Sequence, residues 1–175
     1  MEVASSDRTY KILVLGDLGI GKTSLVLQFT EGPRCIDREH RPTIGVDYAS
    51  KTLVVDDNVV TLQIWDTAGQ EAFAAIVRSF YRRADAVLLM YALTHRATFE
   101  KLSHWVDEVW QYSGTSTPLF LVGNKVDRVE QREVQTGEAL KFVQERGVLG
   151  FFETSAKTAE TVEEVRDIPG LHQDC

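Results

Sequence analysis

Short apolar runs alternate with segments of helical periodicity along most of the chain. The runs are almost continuously apolar, which indicates strands that are buried on both faces of a sheet. They cover residues 11–15, 86–91, 119–122 and 150–153. Two further runs, 52–55 and 59–65, flank the turn sequence Asp56-Asp57-Asn58. This arrangement predicts a β-hairpin.

Helical patterns separate the strands. A helix after the first strand carries Leu25, Val26 and Phe29, another carries Ala139, Leu140 and Val143, and residues 161–166 begin a last one. Between them, one long apolar face precedes the helix-ending sequence Tyr112-Ser113-Gly114. It consists of Phe99, Leu102, Trp105, Val106 and Val109. This alternation predicts a three-layer α/β fold, with a mostly parallel six-stranded sheet, one antiparallel edge strand and helices on both faces.

Composition and charge narrow the class of protein. The 175 residues are 43% hydrophobic and 26% charged, which is typical of one soluble globular domain. A net charge of −7 argues against a nucleic-acid-binding surface. Two cysteines, Cys35 and Cys175, cannot form a disulfide framework, and the pattern of the first residues does not predict a signal peptide. A cytoplasmic location is therefore expected.

The loop after the first strand has the spacing of a phosphate-binding P-loop. Its sequence is Gly16-Asp17-Leu18-Gly19-Ile20-Gly21-Lys22-Thr23. Glycines let the backbone N–H groups point at phosphate oxygens, and the helix that follows adds its positive end. The Lys22 ammonium is expected to reach the β- and γ-phosphates, and the Thr23 hydroxyl to bind Mg²⁺.

A second motif selects the base. Asn124-Lys125-Val126-Asp127 follows the strand at 119–122, about 100 residues after the P-loop. A carboxylate at Asp127 can accept hydrogen bonds from both N1–H and the N2 amine of guanine, whereas adenine would leave it unpaired. The stem of Lys125 can lie over the flat base. Guanine nucleotides, GTP and GDP, are therefore the predicted ligands.

A third motif, Trp65-Asp66-Thr67-Ala68-Gly69-Gln70-Glu71, ends a strand next to the P-loop strand. Asp66 can hold a Mg²⁺-bound water, and the Gly69 N–H can reach the γ-phosphate. Gln70 has the amide that orients an attacking water in phosphoryl transfer. Gln70 and Lys22 are the predicted catalytic residues.

Together these motifs resemble the Rab family of small GTPases within the Ras superfamily, from about residue 8 to 165. The resemblance is carried by residues 43–48, 62–71, 121–125 and 153–157. It implies that Thr43 joins Mg²⁺ and the γ-phosphate in the GTP state, so the metal set is Thr23, Thr43 and Asp66. The implied nucleotide-binding set is Gly16, Gly19, Ile20, Gly21, Lys22, Thr23, Ser24, Thr43, Gly69, Asn124, Lys125, Asp127, Ser155, Ala156 and Lys157, with the Ala156 N–H on guanine O6.

The resemblance also implies partners and a cellular role. An exchange factor, a GTPase-activating protein and effectors would contact the switch regions and an aromatic cluster of Tyr48, Trp65 and Phe80, although each aromatic could instead belong to the core. The implied function is a GTP/GDP switch in vesicle traffic. Residues 94–100 suggest a Golgi or secretory type, peripheral on endomembranes when prenylated.

The chain departs from the family pattern near the guanine base and after the third motif. The segment between Phe29 and Thr43 looks about two residues longer than usual, and Arg34-Cys35-Ile36 replaces the aromatic that normally packs on the base. Faster nucleotide exchange is therefore expected. The sequence Ala72-Phe73-Ala74-Ala75 lacks arginines that Rab proteins typically carry, which puts partner contacts there in doubt.

The C-terminal end departs most. The predicted domains are a flexible segment at 1–8, a GTPase domain at 9–168 and a short tail at 169–175. Val162, Val165 and Ile168 begin an apolar stripe, but Pro169-Gly170 stops the helix. In the family this final helix is longer and covers one face of the sheet. Losing the apolar side chains of its later turns predicts a loss of about 5–12 kcal/mol of burial energy. Cys175 forms no C-a-a-X box, so poor membrane anchoring and a truncated or alternatively ended form are expected.

Three functional hypotheses follow from these observations. The first is a GTPase that is slow without an activating protein, because no arginine is placed to act in cis. The second is a nucleotide-bound scaffold or compromised splice-type variant that hydrolyses GTP poorly. An ATP-using P-loop kinase is the weakest, because such an enzyme has no use for the 124–127 motif.

Leu18 provides a test of the hydrolysis step. It lies where related P-loops carry a small residue, and it is expected to project toward the γ-phosphate and crowd Gln70 and its water. We predict slow intrinsic hydrolysis, and faster hydrolysis in a Leu18→Ser variant with GTP binding retained. Single-turnover phosphate release measures the rate, and an unchanged rate in the variant would contradict the prediction.

Overall fold

Six strands and the intervening helices follow one another in the predicted order. The computed structural model describes residues 8–33, 43–55, 57–69 and 74–163, without the side chains of Ala74 and Ile76. The elements are β1 (Arg8–Gly16), α1 (Lys22–Glu31), β2 (Val46–Val55), β3 (Asn58–Thr67), α2 (Ala74–Tyr81), β4 (Ala86–Ala92), α3 (Arg96–Glu100), α4 (Leu102–Ser113), β5 (Leu119–Asn124), α5 (Thr136–Arg146) and β6 (Gly150–Thr154).

The strands form one sheet in the order β2-β3-β1-β4-β5-β6. Every neighbouring pair is parallel except β2 and β3, which are antiparallel and are joined by the predicted hairpin. Asp57 in that turn has a left-handed φ of 64°, a conformation that Asp adopts more readily than most residues. The predicted fold class is confirmed.

Alternation along the strands gives the sheet two apolar faces. In β1, Ile12 and Val14 join the core cluster that includes α1, whereas Leu13 and Leu15 join the cluster that includes α2, α4 and α5. All four side chains are at most 2% exposed. The chain is therefore layered on both sides of β1, and the carboxyl ends of the parallel strands meet at one edge.

Three local expectations differ from the structure. The predicted long helix is two helices, α3 and α4, separated at Lys101. The strand predicted at 52–55 begins earlier, at Val46, because the whole length of β2 pairs with β3. Leu140 is 48% exposed and does not belong to the buried face of α5, where Ala139 is fully buried.

No described helix has both the length and the apolarity needed to cross a membrane.

A narrow apolar groove lies beside α1. Its walls are nine apolar side chains from α1, the strands β1, β3 and β4, and the end of the described chain: Ile12, Val14, Leu25, Val26, Phe29, Leu62, Ile64, Leu88 and Val162. Val162, the first residue of the predicted final stripe, is 1% exposed in turn and 3-10 structure at 161–163. Val165, Ile168 and the tail lie outside the described residues, so the burial energy of a final helix stays a prediction.

Val162 is expected to contribute to stability although it borders this groove. Val162→Ala removes two buried methyl groups, and we expect the free energy of unfolding to fall by about 1.5 kcal/mol. Urea unfolding without nucleotide measures the change. Val54→Ala is the matched control, because Val54 is 72% exposed on β2, and it should change stability by less than about 0.5 kcal/mol. Equal effects of the two variants would contradict this assignment.

Candidate functional site

The predicted motifs lie at the carboxyl edge of the sheet, where β1, β3, β5 and β6 end. The P-loop leaves β1 and turns into α1, which begins at Lys22 as predicted. Gly21 before it has a left-handed φ of 94°, and a β-carbon there would collide with the Asn124 amide. Only glycine allows this close approach of the P-loop to the end of β5.

Lys22 lies inside its own loop. Its Nζ donates to the backbone oxygens of Gly16 at 2.9 Å and Asp17 at 2.7 Å, and the residue is 6% exposed. Burial lowers the pKa of Lys22 to about 8, against the opposing effect of the Asp66 and Asp17 carboxylates. The ammonium therefore still predominates at neutral pH, with its charge at the centre of the loop.

Three oxygen-bearing side chains meet beside Lys22. The hydroxyls of Thr23 and Thr43 share a hydrogen bond of 2.6 Å, and Thr23 also donates to Asp66 Oδ2. Burial raises the pKa of Asp66, while its hydrogen bond from Thr23 and the Lys22 charge lower it. The structure thus brings together all three residues predicted to bind Mg²⁺.

These residues fit a magnesium ion. Asp66 Oδ1 is buried and has no hydrogen-bond partner among the residues that the structure describes. Hydroxyl and carboxylate oxygens are hard ligands, and Mg²⁺ is commonly held by one or two protein oxygens together with phosphate oxygens. Such an ion would neutralise charge on the phosphates.

Gly69 brings the third motif against the P-loop. A β-carbon at Gly69 would lie 2.7 Å from the Asp17 carbonyl oxygen and would also collide with the Leu18 backbone nitrogen. This contact places the Gly69 backbone beside the loop, as the predicted γ-phosphate contact requires. Gln70 lies outside the described residues, so its catalytic role stays a prediction.

Asn124 ties the P-loop to the last strand. Its Nδ2 donates to the Ile20 oxygen at 2.8 Å, and its Oδ1 accepts from the Ala156 N–H at 3.1 Å and the Thr154 hydroxyl at 3.4 Å. Asn124 is 2% exposed. Three segments far apart in sequence are therefore held in register by one amide.

A cleft opens beside this amide, and we call it the strand-end cleft. It is bordered by the predicted residues Gly19, Gly21, Ser24, Asn124, Lys125, Asp127, Ala156 and Lys157, and additionally by Arg128. Lys125 Nζ donates to the Gly19 oxygen at 2.8 Å, which stretches the lysine stem across one wall. The structure therefore gathers the P-loop and base-binding motifs around one opening.

Asp127 is oriented within this cleft by a predicted neighbour. The Ser155 hydroxyl donates to Asp127 Oδ1 at 2.6 Å, and the Thr158 N–H donates back to the same hydroxyl at 3.0 Å. This chain of hydrogen bonds fixes one carboxylate oxygen of Asp127. Ala156, predicted to meet guanine O6 through its N–H, uses that group on Asn124 in this structure.

Sequence reasoning missed the residues that brace the loop after β6. Glu153 accepts from both terminal nitrogens of Arg132, at 2.9 and 2.7 Å, and from the Thr136 hydroxyl at 2.8 Å. The Arg132 hydrogen bond is the main cause that lowers the pKa of Glu153. The partly buried, bidentate pair of Arg132 and Glu153 has a specific geometry. It therefore fixes the position of the loop that begins with Ser155 and Ala156, directly after β6.

Sequence reasoning also missed a link between the P-loop and α4. Lys101, at the break between α3 and α4, places its Nζ 2.7 Å from Asp17 Oδ2. No periodicity marks this pair, because the two residues are 84 positions apart. The pair anchors the loop from the outside, while Lys22 anchors it from within.

The predicted aromatic cluster is only partly a surface. Trp65 is 9% exposed and packs edge-on against Phe80, with ring centroids 4.7 Å apart. Tyr48 lies opposite Trp65 in the β2–β3 register and is 55% exposed. Trp65 therefore belongs to the core, Phe80 is half-buried, and Tyr48 is the most exposed of the three.

A P-loop that curls around a buried lysine, on a mostly parallel sheet whose strand ends carry the base motif, defines a nucleotide-binding α/β protein. The chain matches the Ras family over residues 11–168. It therefore belongs to the Ras family and is a small GTPase. Proteins of this family bind guanine nucleotide and Mg²⁺, and they act as switches through exchange factors, activating proteins and effectors.

The oxygen cluster at Asp66 predicts how strongly GDP depends on magnesium. In the unmodified protein, EDTA should speed GDP release by roughly tenfold, because an ion held by Thr23, Thr43 and Asp66 would add positive charge beside the phosphates. In Asp66→Asn the carboxylate charge is lost, and EDTA should change the rate by less than about twofold. Release of a fluorescent GDP analogue measures both rates.

Asp107→Asn is the control for this experiment, because Asp107 is an exposed residue of α4 paired with Arg146. Its release rate should respond to EDTA like that of the unmodified protein. A full EDTA response in Asp66→Asn would contradict the proposed metal site.

Proposed function

We propose that this protein is a Rab-type GTPase that binds GTP and GDP with Mg²⁺, hydrolyses GTP slowly and regulates vesicle traffic. The observation that carries the nucleotide assignment is the strand-end cleft, where Asp127, fixed by Ser155, faces the same opening as the P-loop. A carboxylate in this position selects a base with two adjacent donors, and guanine is such a base.

The phosphate end supports hydrolysis by positioning and charge rather than by covalent chemistry. Lys22 supplies a buried positive charge, and Thr23, Thr43 and Asp66 supply oxygen ligands for the metal. Gln70 is proposed to orient the attacking water. This type of catalysis is slow until a partner adds a further positive charge, so an activating protein is part of the proposal.

Leu18 favours low intrinsic activity. Its side chain is 56% exposed, and its backbone nitrogen packs against Gly69. The loop position that carries this large apolar side chain therefore lies next to the third motif through its backbone. This position supports the second candidate function, a nucleotide-bound scaffold that hydrolyses GTP poorly. GTP turnover measured with and without a candidate activating protein separates the two.

The partner surface of the proposal centres on residues 43–48, which lead into β2. Ile44 is 82% exposed and Tyr48 is 55% exposed, both close in sequence to the proposed metal ligand Thr43. Exposed apolar side chains beside a nucleotide-dependent residue suit a surface that effectors and exchange factors contact. We propose that this surface serves a GTPase acting on endomembranes of the Golgi or secretory route.

The base assignment is tested by exchanging the hydrogen-bonding pattern of one side chain. Asp127→Asn replaces one acceptor with a donor, which no longer matches the N1–H and N2 amine of guanine. We expect GDP affinity to fall by at least about 100-fold. Xanthosine diphosphate, which offers a donor and an acceptor at the same positions, should bind the variant better than GDP does. Calorimetric titration of both nucleotides measures the exchange.

Asp107→Asn again serves as the control and should keep its preference for GDP. Loss of GDP binding without any gain for the xanthine nucleotide, in a folded variant, would contradict a direct contact between Asp127 and the base. Failure of the unmodified protein to bind either GTP or GDP at millimolar concentration with magnesium would contradict the whole proposal.

The traffic role is tested by depleting the protein in cells and following a secreted cargo, whose delivery should slow.

A further inference from the structure

Arg128 borders the strand-end cleft but has no assigned role. It directly follows Asp127, and its backbone N–H donates to the Lys125 oxygen at 3.1 Å. This bond closes a turn over residues 125–128 and holds the arginine at the same opening as the lysine stem. Arg128 is thus placed at the cleft by backbone geometry rather than by an ion pair.

Within the described part of the chain, the guanidinium of Arg128 lacks the carboxylate contact that several other arginines around the sheet make. Arg78, Arg96 and Arg132 each contact a carboxylate. Arg128 is exposed, and within the described ranges its side chain has no hydrogen bond or ion pair. Its charge nevertheless acts on the cleft. Burial is the largest cause that lowers the pKa of Lys125, and the positive charge of Arg128 is the second.

Among the described residues, the walls of the cleft offer no flat apolar partner for a base. None of the described residues that border it is aromatic, and its cations are Lys125, Arg128 and Lys157. A purine ring needs a flat surface to exclude water from its face. A guanidinium is planar, is weakly hydrated and stacks on aromatic rings, whereas an ammonium is a compact, strongly hydrated point charge.

We propose that the guanidinium of Arg128 stacks on the purine base of the bound nucleotide and slows its release. This inference rests on the proposed guanine-nucleotide binding, which it deepens by adding a residue outside the recognised motif. Lys125 spans one wall of the cleft toward Gly19, and Arg128 covers the base from the opening. Arg128 therefore acts as a retention residue for both GDP and GTP.

Two substitutions separate stacking from simple attraction of the charged phosphates. Arg128→Met removes the planar cation, and we expect GDP release to speed up roughly 3- to 30-fold. Arg128→Lys keeps the charge but not the plane, and it should release GDP nearly as fast as the methionine variant. The acceleration should persist at 0.5 M salt, because attraction between separated exposed charges is screened there and stacking at contact is not.

The measurement is displacement of a fluorescent GDP analogue by excess GDP in magnesium, at 0.05 and 0.5 M salt. Arg83→Met is the matched control, since Arg83 is exposed after α2 and away from the cleft, and its release rate should stay within twofold of the unmodified protein. Far-ultraviolet circular dichroism establishes that each variant is folded.

Three outcomes would overturn the inference while GDP binding itself stands: release from Arg128→Met within twofold of the unmodified rate, full recovery in Arg128→Lys, or loss of the acceleration at high salt. The last two would show a general charge effect. If the unmodified protein bound no guanine nucleotide, the proposed function would fail first, so the two failures are distinguishable.

Discussion

The site depends on one buried ammonium. Lys22 is almost completely enclosed by the loop that precedes it, and a charge in such a position is costly unless hydrogen bonds compensate it. The Gly16 and Asp17 carbonyls provide those bonds, and the Asp66 carboxylate lies close enough to counter the burial. The lysine therefore ties together the start of its own loop through these two carbonyls. A phosphate in the loop would lie beside a fixed cation, which is how oriented charges stabilise anionic groups.

The rest of the site is an arrangement of strand ends around that loop. Parallel pairing of β1 with β3 and β4 brings Gly16, Asp66 and the P-loop to one edge, and β5 and β6 extend this edge toward the base motif. Asn124 then joins both halves through its amide. The phosphate end is held by backbone carbonyls and oxygen ligands, whereas the base end is held by side-chain pairs such as Ser155 with Asp127. Substitutions at the phosphate end and at the base end can therefore be made separately. Base preference and metal dependence can for that reason be measured independently.

Much of this arrangement follows from the sequence because it rests on local patterns. Buried strands are continuous apolar runs, and loops with fixed glycine and lysine spacing have one common geometry. Features that depend on distant pairs were not predictable. Lys101 bonds Asp17 across 84 positions, and Arg132 bonds Glu153 across a strand and a helix. The break at Lys101 was hidden because Phe99 and Leu102 on its two sides both contribute to the same core cluster. The exposure of Leu140 was not predictable because a large apolar side chain normally indicates the buried face of a helix. Here the smaller Ala139 takes the buried position.

Helix α1 links the stability of the protein to its ligand. Its first turn carries Lys22 and Thr23 into the site, while Leu25, Val26 and Phe29 line the apolar groove on its other side. At its far end Lys51 donates to the Phe29 oxygen, lies 4.1 Å from the centre of the Phe29 ring and pairs with Glu163 at 3.4 Å. The helix is thus fastened at both ends, while the apolar packing along its middle borders the open groove. A ligand that binds the folded state at this first turn stabilises it, and the stabilisation grows with the logarithm of ligand concentration above Kd. A chain with this construction draws part of its stability from the nucleotide that it is proposed to sense.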